Sequence, residues 1–458
     1  MANSVAGKFA QADHATGNVP SFYLLAGVGA FSTGLTLVMP FAFQSGGDSA
    51  FIALAVTAGL LTFAATHVAE RIPAARALWL ILGLGIVLRG YVLFFDPLLS
   101  SDIYRYVWDG KVQAAGINPY RYFPAEDVLA HLRDATTFPQ INRPDYAVTI
   151  YPPVAEFFFL IVTRIGENVN AIRLALLACE AVSVTLIMLF LRRLDRPATR
   201  VVAYFWHPLP IWEIANNGHV DALAIALMLL GLWVALTGHA VRGAVLIAFA
   251  VLVKPYVAPA LTVIWRPWDW KIPLVVIVAI ALCYLPYLSV GWGVFGFLTK
   301  GYLAEEGISS GDKLWVLSLW RLVFGTAQGD VAVYAAMSAM ILLFTALSIA
   351  RRRNRTVASA LSDTNTLLLI VLLLLSPNYP WYFLAITPFL ALCGNAPTWV
   401  VSIGAILLTN EIDGDFPVPM LAAKSILFGG FLLACIWSAR GISGSPPTGD
   451  DHNDPFQR

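Results

Sequence analysis

Asp102 stands in the run Ser101-Asp102-Ile103-Tyr104-Arg105-Tyr106, followed closely by Gly116-Ile117-Asn118-Pro119-Tyr120-Arg121. A positioned carboxylate can take a proton from an incoming hydroxyl. Arginine can grip a phosphate or carboxylate through two parallel bonds. Tyrosine offers a flat face to a ring. Residues 96–150 carry 12 of the chain's 57 Asp, Glu, Lys and Arg residues. They come directly after a long apolar run, so they suit a loop that grips a polar ligand at a membrane surface.

Four further places carry similar chemistry. One is the turn from Glu213 through Asn216-Asn217-Gly218-His219 to Asp221. The second is Lys254-Pro255-Tyr256, where a lysine interrupts apolar sequence. The third is Glu305, Glu306, Asp312 and Lys313, and the fourth is the proline-broken stretch Ser376-Pro377-Asn378-Tyr379-Pro380-Trp381-Tyr382.

Plainer readings stand beside these. Ser100, Ser101 or Asp102 would each cap a helix. His219 and Asp221 would suit a helix N-terminus, where an acid favours the macrodipole. Trp381 and Tyr382 would also fit an interfacial aromatic belt. Asp109 and Lys111 read as a solvated helix face.

The elements that must position these residues cross a membrane. Of the 458 residues, 58% are hydrophobic and 12% charged, half the charged share of about 25% in soluble domains. The net charge of +1 gives no basic excess for nucleic acid. Cys179, Cys283, Cys393 and Cys435 all sit in apolar runs without a Cys-x-x-Cys pair, so they read as packing residues.

A crossing helix needs about 20 apolar residues. Candidate spans are 22–43, 51–68, 77–95, 171–191, 199–214, 220–237, 272–290, 331–350, 363–376, 381–393, 397–410 and 419–437. The pieces 243–254 and 256–266 form a hairpin or two short spans. The fold class is an all-α polytopic membrane protein of about 12–14 transmembrane helices. A single domain over 22–440 is expected, with a tail at 1–21 and a disordered one at 441–458.

The clusters Arg192-Arg193-Leu194-Asp195-Arg196 and Arg351-Arg352-Arg353-Asn354-Arg355 should face the cytoplasm. That places the loops 96–170 and 291–330 outside, provided 152–166 and 313–325 lie on the outer leaflet as amphipathic helices. Both tails are then cytoplasmic. Lys254 lies roughly 18 Å from the cytoplasmic side, at 1.5 Å per residue. Intramembrane ionisable residues are functional candidates by default.

With these residues in place, a family likeness emerges. The stretches from Ser101 to Tyr106 and from Gly116 to Tyr120 resemble the first outer loop of GT-C fold polyprenyl-phosphate-sugar-dependent glycosyltransferases. The nearest likeness is to glycosyltransferase family 87 and the polyprenol-phosphomannose-dependent alpha-1,6-mannosyltransferases. Tyr151-Pro152-Pro153 and its apolar helix, the span ending in Arg192-Arg193, Gly218-His219-Val220-Asp221-Ala222, and Ser376 to Tyr382 resemble the same group, in the expected order over residues 77–393. One difference is that two additional spans precede the loop.

The resemblance implies a GT-C-like bundle with Asp102 as the catalytic base. It implies substrate contacts from Tyr104, Arg105, Asn118, Tyr120, Arg121, Tyr151, Glu213, His219, Asp221, Lys254, Tyr379 and Trp381, with Lys254 and Arg105 or Arg121 on the lipid phosphate. The implied partners are a polyprenyl-phosphate-linked sugar donor, mannose first, a glycan or lipid acceptor, and the lipid bilayer. The reaction would invert at the outer face of the plasma (inner) membrane. No cofactor is indicated: no Asp-x-Asp pair accompanies Asp102, although a divalent metal stays open. A lipid-linked sugar transporter or flippase is the rival reading, kept alive by the proline breaks at Pro255 and Pro377–Pro380.

Overall fold

The computed structural model describes residues 18–409 and 420–442. The expected tails fall outside these, except for residues 18–21 and 441–442, which belong to helices. Every described element is helical. Those used below are α1 (Asn18–Ala69), α2 (Ala74–Val92), α3 (Asp102–Ala114), α4 (Pro153–Thr163), α5 (Val169–Arg193), α6 (Asp221–Leu236), α7 (Ala240–Val251), α8 (Lys271–Tyr284), α9 (Trp315–Phe324), α10 (Asp330–Ala350), α11 (Val357–Leu375), α12 (Ala396–Gly404) and α13 (Met420–Ile442).

Seven of the described helices are long and apolar enough to cross a membrane, or eight if the bent pair Pro210–Asn216 and α6 forms one span. That is fewer than the 12–14 expected, and the reason is local. The expected crossings near 199–214, 243–266, 381–393 and 397–410 are built from short or tightly wound pieces rather than continuous helices. Conversely, α1 holds two of the expected spans. Gly47 is non-helical inside it. Trp206 abuts Gly29 with its ring and accepts from Thr62 Oγ1 at 3.1 Å. In a straight helix residues 29 and 62 would lie roughly 50 Å apart, so the chain doubles back at Gly47.

Lipid supplies no hydrophobic drive between helices, so close packing and polar pairs must hold them together. Gly243 on α7 sits so close to α6 that an added Cβ would lie 2.5 Å from the Gly231 carbonyl oxygen. This hairpin of small residues sets the end of α7 opposite the start of α6. A buried bidentate pair, Arg89 Nε to Glu180 Oε2 at 2.6 Å and Nη2 to Oε1 at 2.5 Å, ties α2 to α5. Residues 201–206 and 209–216 between them are buried almost completely. α8 and α10 lie at the periphery with many large apolar side chains exposed, among them Leu282 and Phe344.

The basic clusters gather at one end of the bundle. Arg200 pairs with Glu70 at 2.5 Å, Arg193 bonds the Leu236 carbonyl at the end of α6, and Arg196 and Arg200 bond the Leu392 and Ala391 carbonyls. Arg355 bonds the Val263 and Trp265 carbonyls, just ahead of α11. The opposite ends of α2, α5, α6, α7 and α11 converge on loop 96–152. There Arg173 holds the Phe95 carbonyl at 2.9 Å and the Asn216 and Asn217 side chains accept from Leu98 N. The two helices expected on this face are present as α4 and α9, and α9 exposes Trp320, Leu322, Val323 and Phe324.

Candidate active site

At the loop-bearing end lies a cavity of about 900 Å³, within the range of pockets that bury a small ligand. Five stretches of chain wall it: 96–104, 140–152, 253–259, 298–308 and 371–382, with Leu408 and Thr409. Asp102, Gln140, Asn142, Arg143, Lys254 and Glu306 bring polarity, while Leu298, Leu303, Val371, Leu375 and Leu408 bring apolar surface. Such a lining suits a ligand that is polar at one part and greasy at another.

Asp102 begins α3, so the positive end of that helix faces its carboxylate. Asn142 Nδ2 donates to Oδ1 at 2.7 Å and the Tyr151 hydroxyl to Oδ2 at 3.3 Å. An ionised carboxylate only accepts, which fixes the direction of both bonds. Burial, and next the charge of Asp102, push the Tyr151 phenol well above its ordinary value, so it remains a donor. Asn142 stands 40 residues from Asp102 in sequence. With Asn142 on one oxygen and Tyr151 on the other, one lone pair of each stays open to a substrate. Hydrogen bonds to a charged group contribute on the order of 1.5–3 kcal/mol, so Asn142→Ala should lower turnover about 10- to 100-fold. Steady-state kinetics should show the loss in kcat with little change in KM.

Lys254 Nζ reaches the cavity from the end of α7 and pairs with Asp221 Oδ2 at 3.2 Å. Asp221 is fully buried and also accepts from the Tyr256 hydroxyl. The rings of Tyr382 and Tyr151 lie 5.6 and 5.8 Å from Nζ, close enough for weak cation–π support. Behind this pair, His219 Nε2 lies 3.2 Å from Glu213 Oε2. His219, Trp381 and Tyr379 form a stack with successive centroids 4.3 Å apart. Both faces of Trp381 are therefore covered by protein, and Tyr379 is the ring of the stack that remains partly open. Glu213, His219 and Asp221 do not line the cavity. They form the layer that holds Lys254 and the aromatic wall.

Gly218 permits this layering. Its φ is +69° and an added Cβ would meet Ile103 Cδ1 at 2.2 Å. Gly218→Ala should cost on the order of 1–3 kcal/mol from backbone strain, with more from the clash beside Asp102. Thermal unfolding in detergent should show a lowered midpoint.

Four further residues picked from sequence lie away from the cavity. Arg105 is buried away from the cavity, bonded to Asp109 Oδ1 at 2.8 Å and to the Ala147 carbonyl. Arg121 is exposed and reaches only the Ser289 carbonyl at 3.4 Å. Asn118 donates to the Tyr287 carbonyl and Ser289 Oγ. Tyr120 is buried against Tyr287 and donates to the Tyr151 carbonyl at 2.6 Å. These residues shape the loop rather than the cavity.

Asp109 also departs from the solvated face expected of it. It is almost fully buried, and Lys111 pairs with Asp134 at 3.1 Å. The loop has its own small core of Trp108, Val112, Leu129 and Ile141, which draws α3 inward. Glu156 on α4 is fully buried nearby, accepting from Thr149 and Gln113. Burial raises both carboxyls. The charge of Asp109 raises Glu156 further, whereas Arg105 opposes the rise at Asp109.

Asn142, Arg143 and Tyr302 line the cavity without having stood out in the sequence, and Tyr256 lines it beside Lys254. Arg143 bonds Glu305 Oε2 at 2.5 Å. Glu306 accepts from Asn378 at 2.8 Å, and burial pushes its carboxyl up. Lys424 on α13 donates to the Lys313 and Ser376 carbonyls and to Asn378 Oδ1, tying the second loop to the 376–378 break. Among the described residues, Arg143 and Lys254 are the cations that line the cavity. No three His, Cys, Asp or Glu side chains among them are grouped to hold a metal.

Comparisons with known proteins follow this geometry. A family model described as alpha-(1->6)-mannopyranosyltransferase, N-terminal domain (MptA_B family) matches residues 26–268, more than half of the chain. Alpha-(1->6)-mannopyranosyltransferase A of Mycobacterium tuberculosis is 25% identical over 328 residues, which is 64% of this chain and 61% of that protein. A second alpha-(1->6)-mannopyranosyltransferase of the same organism is 31% identical over 157 residues, which is 32% of this chain and 26% of that protein. The chain thus spans less than two thirds of the length of either relative. No solved structure matches it.

Proposed function

Because this chain belongs to the alpha-(1->6)-mannopyranosyltransferase family, we propose that it is a membrane mannosyltransferase whose donor is a polyprenyl-phosphate-linked mannose. The observation that carries this reading is the single cavity in which Asp102, Lys254 and Arg143 meet apolar lining at the loop-bearing end of the helix bundle. A lipid donor has matching parts: an isoprenoid tail, a phosphate and a sugar.

In the proposed reaction, the acceptor hydroxyl approaches Asp102 from the aqueous side. Asp102 takes its proton as the hydroxyl oxygen bonds the anomeric carbon. The bond from that carbon to the phosphate oxygen breaks, and the phosphate keeps the electron pair. Lys254 and Arg143 stand where that negative charge develops, which is how an enzyme lowers such a barrier. Arg143 takes the part that Arg105 and Arg121 cannot reach. A single displacement inverts the anomeric carbon, so a beta-linked donor gives the alpha linkage. Tyr379 offers the open ring face for the sugar, and Tyr151 and Asn142 keep Asp102 oriented.

The cavity lies opposite the ends that carry Arg192–Arg200 and Arg351–Arg355. By the positive-inside bias those clusters face the cytoplasm, so the cavity opens to the outer face of the plasma membrane, toward a glycan or lipid acceptor. Reconstituted protein should move mannose from polyprenyl-phosphate mannose and not from a nucleotide-linked mannose. Transfer from the nucleotide donor alone would overturn the reading. The 113° break before α6 and the buried Asp221–Lys254 pair are features a transporter would also carry. Donor crossing the vesicle bilayer without sugar transfer would favour that class instead.

A further inference from the structure

The two cavity cations differ in how their charges are compensated. Asp221, the partner of Lys254, is fully buried and held by a second bond from Tyr256. It cannot leave without stranding a charge in the protein interior, which is costly. Glu305, the partner of Arg143, is quite different. Its side chain is 31% exposed and sits on the short helix Leu303–Glu305 of the second loop. Its other oxygen, Oε1, accepts from the exposed Tyr146 hydroxyl at 3.0 Å. The segment itself is anchored independently, through Tyr302 to the Tyr382 hydroxyl and through Glu306 to Asn378. Glu305 can therefore swing away while the backbone stays in place, keeping Tyr146 as its partner.

Arg143 is held in an unusual way. Its φ is +53°, in the left-handed region that a bulky residue adopts only when the surroundings impose it. Its guanidinium faces the cavity, 24% exposed, with Glu305 on one side and Glu306 Oε1 at 4.0 Å. A guanidinium fork binds phosphate as readily as carboxylate.

We infer that Glu305 is an exchangeable counter-ion. It occupies the Arg143 fork when the cavity is empty, and the phosphate of an isoprenoid ligand displaces it on binding. This rests on the reading that a lipid-linked phosphate enters this cavity. Glu305 thereby competes with the ligand for one cation and sets the affinity for phosphate. It also clears the spent lipid phosphate by returning to the fork after transfer.

The consequence is that removing an acid strengthens binding of an anion. Purified wild type, Glu305→Gln, Arg143→Gln and the double variant would be titrated with geranylgeranyl phosphate in detergent, after size-exclusion confirms that each is folded. Glu305→Gln should tighten binding about 3- to 10-fold, and Arg143→Gln should weaken it at least tenfold. In the double variant the gain from Glu305→Gln should vanish, because the fork it competes for is gone. Glu305→Gln binding that is unchanged, or weakened as in Arg143→Gln, would overturn the proposal; the latter would make Glu305 a fixed support for the arginine. The titration requires no turnover. A wild-type protein that binds the phosphate but transfers no mannose would therefore count against the mannosyltransferase reading and leave this one decided.

Discussion

Asp102→Asn should reduce mannosyl transfer by about 10²- to 10⁴-fold, the span that loss of a positioned general base produces. The amide has the shape of the carboxylate but no capacity to take the acceptor's proton. Folding should survive, because Asp102 is held by the Asn142 amide and the Tyr151 hydroxyl rather than by an ion pair. The amide carbonyl can accept one of those bonds. Donor KM should move little, since in the proposed reaction Asp102 serves the acceptor hydroxyl and Lys254 and Arg143 serve the phosphate. Matched amounts of folded protein in membranes, with initial rates at saturating donor, would measure the effect.

Lys254→Met should be harsher on the protein than on the chemistry. It leaves Asp221 fully buried without a countercharge, and breaking a buried pair from one side costs on the order of 3–5 kcal/mol. Little folded protein is expected. Adding Asp221→Asn removes the stranded charge while keeping an acceptor for the Tyr256 hydroxyl, so the Lys254→Met/Asp221→Asn protein should fold. It should still transfer slowly, by about 10²- to 10³-fold, the usual cost of losing one group that stabilises developing charge. Recovery of both folding and rate would make Lys254 purely structural.

Much of this arrangement was legible because the segments that line the cavity or support its wall interrupt an apolar pattern. The lysine at 254, the prolines at 255, 377 and 380, and the polar turn at 216–219 all announce themselves against hydrophobic neighbours. The hairpin split of α1 and the two short helices α4 and α9 could likewise be read from run lengths. What could not be read was the inward turn of loop 96–152. Its charge density suggested a ligand-gripping loop with Asp109 and Lys111 on a solvated face, yet Trp108, Val112, Leu129 and Ile141 give it a core that buries Arg105 and Asp109. The i, i+4 spacing of those two residues was a usable signal for their pairing. Arg143 carried no such signal. The sequence Asn-Arg-Pro-Asp reads as a plain turn, and only the tertiary fold brings Arg143 beside Glu305, 162 positions away.

The most direct measurement is transfer from labelled beta-linked polyprenyl-phosphate mannose to a mannose acceptor. Wild type and Asp102→Asn would be compared in vesicles, with the product's anomeric configuration determined. An alpha-linked product is expected from wild type and background label from Asp102→Asn. A beta-linked product, or equal transfer by the two proteins, would contradict the proposed reaction.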